Sequence, residues 1–266
     1  MLHDFLTEIC KEQRILIEFL SQGYIIRLSK NDQVRHIIGP YWEINNTASD
    51  RIACDKYGCY QVLESRGIPA IQHEILQNPL RRPNWSGPYG SWSQALDLFT
   101  SFNSRVVVKP NTGSYGKDIY FANTICELET GMQAIFAYHA SAAISPYHEI
   151  KNEYRVFYLN GECRFAYGKE KNELGTHNLA AGASAFMLDE QKDAALITQI
   201  TSLATNAANC IGINFASVDV ADTEQGFKIM EINAGVQAGI LLEQHPDLHH
   251  MFKNILTDAV LGMFRL

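Results

Sequence analysis

FASVDVADTEQGFKIMEIN, residues 215–233, decides how this chain is read. Its runs 215–220 and 227–233 have the apolar, β-branched character of strands, and the polar stretch Ala221-Asp222-Thr223-Glu224-Gln225-Gly226 between them reads as a turn. Side chains alternate between the faces of a strand. That sets Ile229, Glu231 and Asn233 on one side, and Ser217 and Asp219 together on the partner strand. If the hairpin turns these faces the same way, Asp219, Glu231 and Asn233 converge. Two carboxylates and an amide oxygen among apolar residues are costly to bury without a positive charge between them. All-oxygen donors of this kind suit Mg²⁺, with Mn²⁺ as the other candidate. The same pattern also fits two solvent-facing acids on an edge hairpin.

The second stretch with chemical content is VVVKPNTGSYGKDI, residues 106–119. An apolar strand delivers Lys109 at its end, and a loop with Gly113, Ser114, Tyr115 and Gly116 leads into a second strand, DIYFA. Glycine lets backbone amides come close to a phosphate, and lysine supplies a point charge. A Walker loop is excluded, because its G-x-x-x-x-G-K-[ST] pattern is missing and a strand follows. The plain alternative is a hairpin with a flexible tip and an incidental lysine.

Composition bounds the function class. At 266 residues with 46% hydrophobic and 19% charged, the chain can bury a large core, and disorder is not expected. A formal net charge of −7 argues against a nucleic-acid protein, which needs a broad basic surface. The start, MLHDFLTEICKEQRILIEFL, carries charges throughout, so it does not read as a signal peptide, and no apolar run reaches transmembrane length. Cys10, Cys54, Cys59, Cys126, Cys163 and Cys210 are scattered without metal-type spacing and read as free thiols of a cytoplasmic protein.

Periodicity gives an α+β chain. Residues 2–20 read as one amphipathic helix, 24–28 as a short strand, and 50–66 as a helix closed by Gly67-Ile68-Pro69. The stretch 78–92 is loop-like, and its Trp85 and Trp92 read either as anchors of a substrate lid or as packing. A helix over 127–139 precedes a strand near 142–144. EYRVFYLNGECRFAYGK, 153–169, reads as a hairpin turning at Asn160-Gly161, and a long helix spans 189–211.

Taken in order, ASDRIACDKYGCYQVLESRGIPA (48–70), VVVKPNTGSYGK, AISPYHEIKNEYRVF (143–157), GTHNLAAGA (175–183), SVDV and KIMEIN resemble the ATP-grasp superfamily. Within it they resemble the amino-acid ligases that add glutamate to peptide or protein carboxylates, and the ATP-grasp module of cyanophycin synthetases. The likeness runs from about residue 48 to residue 239 and implies two α/β subdomains gripping ATP between antiparallel sheets. The corresponding division is a reduced N-terminal subdomain 1–47, a central subdomain 48–145 with the glycine-rich loop, and a C-terminal subdomain 146–266 with the metal site.

The resemblance also assigns roles. Lys56 of Asp55-Lys56 would reach the nucleotide phosphates, Lys109 the α- and β-phosphates, and Thr112 to Gly116 would cover them. Ser145-Pro146-Tyr147-His148 would be the adenine hinge. Pro146 has no N–H, so the Tyr147 amide would be the donor. Glu153 would bind the ribose hydroxyls. Lys169 stands where these ligases carry an arginine facing the γ-phosphate, a change that keeps the charge and loses the bidentate fork. Asn178 matches the asparagine of an N-L-x-x-G segment, with His177 beside it as a base or a polar wall residue.

The implied reaction is carboxylate–amine ligation through an acyl phosphate, with ATP and Mg²⁺, acting on small-molecule or peptide carboxylates and amines. A kinase or other phosphoryl-transfer enzyme of the same fold, and a non-catalytic nucleotide-binding module, are the alternatives. Fewer than 50 residues precede the Asp55-Lys56 helix, where relatives carry a fuller domain. The apolar stripe of the 2–20 helix is therefore expected to lie uncovered, and that helix or its neighbouring strand to pack against a second copy in a homodimer.

Overall fold

The computed structural model describes residues 1–81, 92–113, 116–173 and 175–265. Helix α1 (Leu2–Gln13) buries Leu6, Ile9 and Cys10 and stops at Arg14, whose φ of 54° is left-handed. The next residues form strand β1 (Leu16–Leu20), so the expected single helix over 2–20 is corrected to a helix and a strand. Once Arg14 breaks the helical register, the backbone of 16–20 finds its hydrogen bonds across strand β2 (Ile25–Lys30) instead. Strands β3 (Gln33–Ile38) and β4 (Tyr41–Trp42) complete an antiparallel sheet in the order β1-β2-β3-β4. The first subdomain therefore holds a whole sheet, more than the helix and the one short strand read from the sequence.

The expected helix over 50–66 is two helices. Asn46 caps α2 (Thr47–Cys54), its side chain accepting from the Ser49 amide. Asp55, at φ −100° and ψ 104°, breaks the chain and caps α3 (Lys56–Glu64) by accepting from the Gly58 amide. The break places Lys56 at the first turn of a helix that begins with it.

A second antiparallel sheet, in the order β5-β8-β6-β7, contains β5 (Glu74–Gln77), β6 (Val106–Pro110), β7 (Tyr120–Ala122) and β8 (Ser141–Pro146). Helices α4 (Trp92–Ser101) and α5 (Ile125–Tyr138) cover it through Phe99, Leu128 and Ile135, packed on Leu76, Val106 and Val108. A Thr124/Glu127 capping box fixes the start of α5. Trp92 opens α4 and is exposed, whereas Trp85, Ser114 and Tyr115 lie outside the described residues.

The third sheet positions the site. Strands β9 (Glu153–Leu159) and β10 (Glu162–Lys169) are joined through Asn160 and Gly161, with φ of 49° and 96°, the positive pair that a two-residue hairpin turn needs. With β11 (Ala185–Met187), β12 (Phe215–Thr223) and β13 (Gly226–Asn233) they form the order β11-β10-β9-β12-β13. The strands run to Thr223 and start again at Gly226, so the turn between β12 and β13 is shorter than the six residues expected.

Helix α6 (Ala194–Ile211) packs Ile200, Ala204 and Ala207 on one face, against Val156, Tyr158 and Val218. The other face changes character along its length. At one end Phe157, Leu159 and Phe215 share a core with Trp42, with Leu241 of α7 (Gly239–Gln244) and with Phe252 and Ile255 of α8 (His249–Met263). At the opposite end the same face carries Glu153, Arg155, Lys169 and Asp219.

Helix α8 also covers α1. The Phe5 and Phe252 rings lie 6.2 Å apart, and Lys253 reaches Glu8 at 3.0 Å and Glu12 at 2.7 Å. The expectation of an uncovered α1 stripe is thereby corrected. Among the described residues, no helix is long and apolar enough to cross a membrane.

Candidate active site

Strand register brings the acids together. Asp219 sits directly across from Glu231, and Ser217 across from Asn233. Between these pairs and the next, Val220 opposite Ile229, the register shifts by one residue, so Met230 is extra. This bulge corrects the simple alternation, which put Ile229 and Glu231 on one face: Ile229 is buried in the α6 core while Glu231 faces the site. Asn233 Nδ2 donates to Asp219 Oδ2 at 3.3 Å, so Asp219, Glu231 and Asn233 meet as the alternation of polar residues implied.

Asp219 is also the anchor of two cations. Arg155, directly opposite it on β9, donates through Nε to Oδ1 at 2.8 Å and through Nη2 to Oδ2 at 2.7 Å. Lys169 Nζ donates to Oδ1 at 2.9 Å and also to Glu153 Oε1, its cross-strand partner on β9. Burial opposes ionisation of Asp219, but Arg155 and then Lys169 outweigh it and hold the carboxyl well below the usual range. For Glu153 burial wins, and its pKa is raised despite Lys169. Lys169 is pushed up: burial lowers it, and Asp219 with Glu153 more than compensate. Glu153, expected at a ribose, is the buried counter-ion of Lys169 in this structure.

The lysines come from other elements. Lys56 Nζ donates to the Gly113 carbonyl at 3.0 Å and lies 3.6 Å from Glu231 Oε1. Asn111 holds this corner: its Nδ2 donates to Asp55 Oδ1 at 2.9 Å, its Oδ1 accepts from the Tyr57 amide at 3.0 Å, and its carbonyl accepts from the Lys56 amide at 3.2 Å. Lys109, from the end of β6, shares the field of Glu231, Lys56 and Glu153. Burial is the largest influence and lowers its pKa to about 8. Its ammonium makes no hydrogen bond or ion pair among the described residues.

Gly116 lies against the stretch that links β10 to β11. Gly116 has φ +66°, and a Cβ built there would stand 2.6 Å from Asn178 Nδ2. A side chain at Gly116 would have to push the Asn178 amide aside, and the left-handed backbone favours glycine there as well. Asn178 itself accepts from the Ala180 amide at 2.9 Å. His177 Nδ1 donates to the Lys169 carbonyl at 2.7 Å.

The hinge expectation is corrected in one respect. Pairing of β8 with β6 runs as far as Pro146 opposite Val106, and the next amide, Tyr147 N–H, donates to the Arg105 carbonyl at 2.9 Å. That donor is consumed by the sheet and is not free for adenine. Arg105 stacks over the Tyr147 ring, 4.3 Å from its centroid.

Arg155 and Asn111 were not singled out from the sequence. Alternation could have found Arg155, two residues after Glu153 and so on the same face. No local pattern marks Asn111, whose contacts are 54 and 56 positions away.

A profile of the RimK-like ATP-grasp domain matches residues 53–245. The sequence has no match among curated proteins. Among solved structures, the chain is similar to D-alanine–D-alanine ligase from Bacillus anthracis, at 17% identity and a TM-score of 0.65, over 83% of this chain and 70% of that one. The same enzyme complexed with ATP gives 16% and 0.64, over 83% and 69%. D-cycloserine synthetase gives 18% and 0.56, over 78% and 70%. With the fold reproduced in these structures and the family profile spanning most of its length, the chain belongs to the RimK-like ATP-grasp family.

Proposed function

We propose that this protein is an ATP-dependent carboxylate–amine ligase that works through an acyl phosphate. The observation that carries the reading is a partly buried charge cluster in which four cations, Lys56, Lys109, Arg155 and Lys169, share one field with three acids, Glu153, Asp219 and Glu231. An excess of buried positive charge is costly unless a polyanion arrives to share it, and a triphosphate is such a polyanion.

A carboxylate alone is a poor electrophile. In the proposed first step a substrate carboxylate oxygen attacks the γ-phosphorus of ATP, and ADP departs. The amine then attacks the acyl carbon, loses a proton, and phosphate leaves. The protein's part is positioning and charge neutralisation. Lys56 and Lys109 would hold phosphate oxygens, while Lys169 and Arg155 would face the group in transfer. The glycine-rich segment, whose Gly116 lies against Asn178, would keep water from the acyl phosphate.

Two carboxylates and an amide on neighbouring strands are hard oxygen donors of the kind Mg²⁺ or Mn²⁺ takes, so Asp219, Glu231 and Asn233 fit such an ion. When bound there, it would neutralise phosphate charge. A carboxylate offers about four lone-pair positions, and Asp219 already receives Arg155 twice, Lys169 and Asn233. Metal binding therefore competes with that clasp, and Glu231 is the more open of the two acids.

The test is ADP release in the presence of paired amino acids and short peptides, with hydroxylamine as a trap. Hydroxamate formed only with ATP and one class of carboxylate supports the reading. ATP turnover that phosphorylates an alcohol, or nucleotide binding without turnover across the whole screen, would overturn it.

A further inference from the structure

Strand register carries the charged face of the third sheet one strand beyond the acids already described. Lys169 pairs with Glu153, Glu153 with Ala221, and Ala221 with Lys228, so these residues form one row across β10, β9, β12 and β13. Phe227 and Ile229, on either side of Lys228, pack into the core beneath α6, and the Phe227 ring lies 6.1 Å from that of Tyr154 in the same core. Alternation therefore turns Lys228 the other way, onto the face that holds Asp219 and Glu231. The side chain is partly buried, and its ammonium donates at 2.8 Å to Oε1 of Gln225, an exposed neutral amide in the turn. Among the described residues Lys228 forms no ion pair.

The same sheet fixes the direction in which a nucleotide can extend from Asp219 and Glu231. Toward Ser217 the face is closed, because Phe157, opposite Ser217, and Phe215 belong to the core shared with Trp42 and Phe252. Toward Ala221 it carries Glu153 and Lys228. That end leads to the 147–152 stretch between β8 and β9, where the Lys151 N–H donates to the Asp222 carbonyl and the Asp222 N–H to the Asn152 carbonyl, both at 2.9 Å. Ala221 lies two residues from Asp219, about 7 Å along the strand, which is close to the span from the phosphates of a nucleotide to its sugar. Glu153, the acid of this row, is engaged by Lys169. The row's remaining charged donor is the Lys228 ammonium.

We propose that Lys228 binds the sugar of the nucleotide: its ammonium leaves Gln225, donates to a ribose hydroxyl oxygen, and so selects ribonucleotides over nucleotides that lack those hydroxyls. The inference rests on the reading of this cluster as a nucleotide phosphate site. An ammonium carries three donors and a hydroxyl oxygen two lone pairs, and a charged donor makes the stronger kind of hydrogen bond. Gln225 is exposed, so water replaces the lysine there and the exchange costs little.

Calorimetry on the full chain compares ADP with its dideoxyribose analogue, which lacks both sugar hydroxyls, in the wild type, Lys228→Met and Lys228→Arg. Methionine keeps an unbranched stem and removes the donor, whereas arginine keeps a charged donor at similar reach. The wild type binds ADP about tenfold more tightly than the analogue, the worth of one hydrogen bond from a charged group. Lys228→Met loses that factor for ADP and binds the analogue within about twofold of the wild type. Its melting temperature is unchanged, and Lys228→Arg retains most of the preference. A preference that is absent from the wild type or survives in Lys228→Met, or equal losses for both ligands in that variant, would overturn the proposal and leave the nucleotide reading standing. A wild type that binds neither ligand overturns both.

Discussion

Asp219 and Glu231 look equivalent in sequence, two acids on paired strands, yet their surroundings separate them. Asp219 is buried and saturated by Arg155, Lys169 and Asn233, whereas Glu231 is partly exposed and faces one lysine at 3.6 Å. Replacing Asp219 with Asn leaves two buried cations short of a counter-charge, which costs about 3–5 kcal/mol. Glu231→Gln should leave the melting temperature within a few degrees of wild type while both variants lose turnover. Thermal unfolding followed by circular dichroism, beside ADP release, checks this; equal stability of the two variants would contradict the clasp. The same contrast sets a pH response. The folded-state pKa of Asp219 lies below its unfolded value, so its contribution is fully present above about pH 4 and is lost as pH falls through the lower folded value. Acid unfolding of the wild type should contain a component in that range that Asp219→Asn lacks. At Lys109, substitution by Met removes the charge and keeps the stem. It should weaken ADP binding strongly with little loss of stability, because burial already disfavours the ammonium. A large drop in melting temperature with unchanged affinity would make Lys109 structural.

At the scale of elements, the sequence is most legible where local rules agree. The Asn160-Gly161 hairpin and the alternation of β12 appear as their residues imply, while α5 starts at Ile125, two residues before the expected start, because Thr124 caps it. It misleads where one residue overrides a periodic pattern: Arg14 in the left-handed region splits the expected first helix, Asp55 splits the next, and Met230 breaks the alternation of β13. Each exception has a consequence for the site. The Asp55 break starts α3 at Lys56, and the Met230 bulge turns Glu231 toward the lysines while Ile229 stays in the core. What no local pattern supplied is long-range satisfaction, such as Asn111 joining the end of β6 to the start of α3. Asp55 is the element-scale test. Its carboxylate caps α3 and receives Asn111, so Asp55→Ala should cost about 1–2 kcal/mol from the cap. That lowers the melting temperature by several degrees and loosens Lys56 enough to weaken ADP binding. An unchanged affinity would mean that the cap holds the helix without aiming the lysine.

Over the whole molecule, one face of the third sheet does two jobs. Its apolar end closes a core with the N-terminal sheet and α8, and its charged end gathers cations from three sheet-and-helix units. The N-terminal sheet is therefore braced by the rest of the chain, and the stripe of α1 needs no second copy. The apolar surface left over lies elsewhere. Leu20 aligns with Ile25 and Ile38 across β1, β2 and β3, and Leu16 aligns with Ser29 and Val34. Leu16, Leu20, Val34 and Ile38 are exposed, as are the neighbouring Tyr24 and Tyr41. Strand β1 is also an edge strand whose sequence, LIEFL, has neither the lysine nor the proline that usually blunts an edge. Of the helix and the neighbouring strand that the sequence offered to a second copy, the strand's sheet is the one left exposed, and two-fold pairing there would cover both the apolar rows and the free edge. Light scattering at micromolar concentration should report about twice 29.9 kDa. Leu16→Asp combined with Leu20→Asp should give monomers that retain the wild-type melting profile, because neither side chain contributes to the core. A wild-type mass of one chain across a broad concentration range would show instead that this edge is tolerated in water.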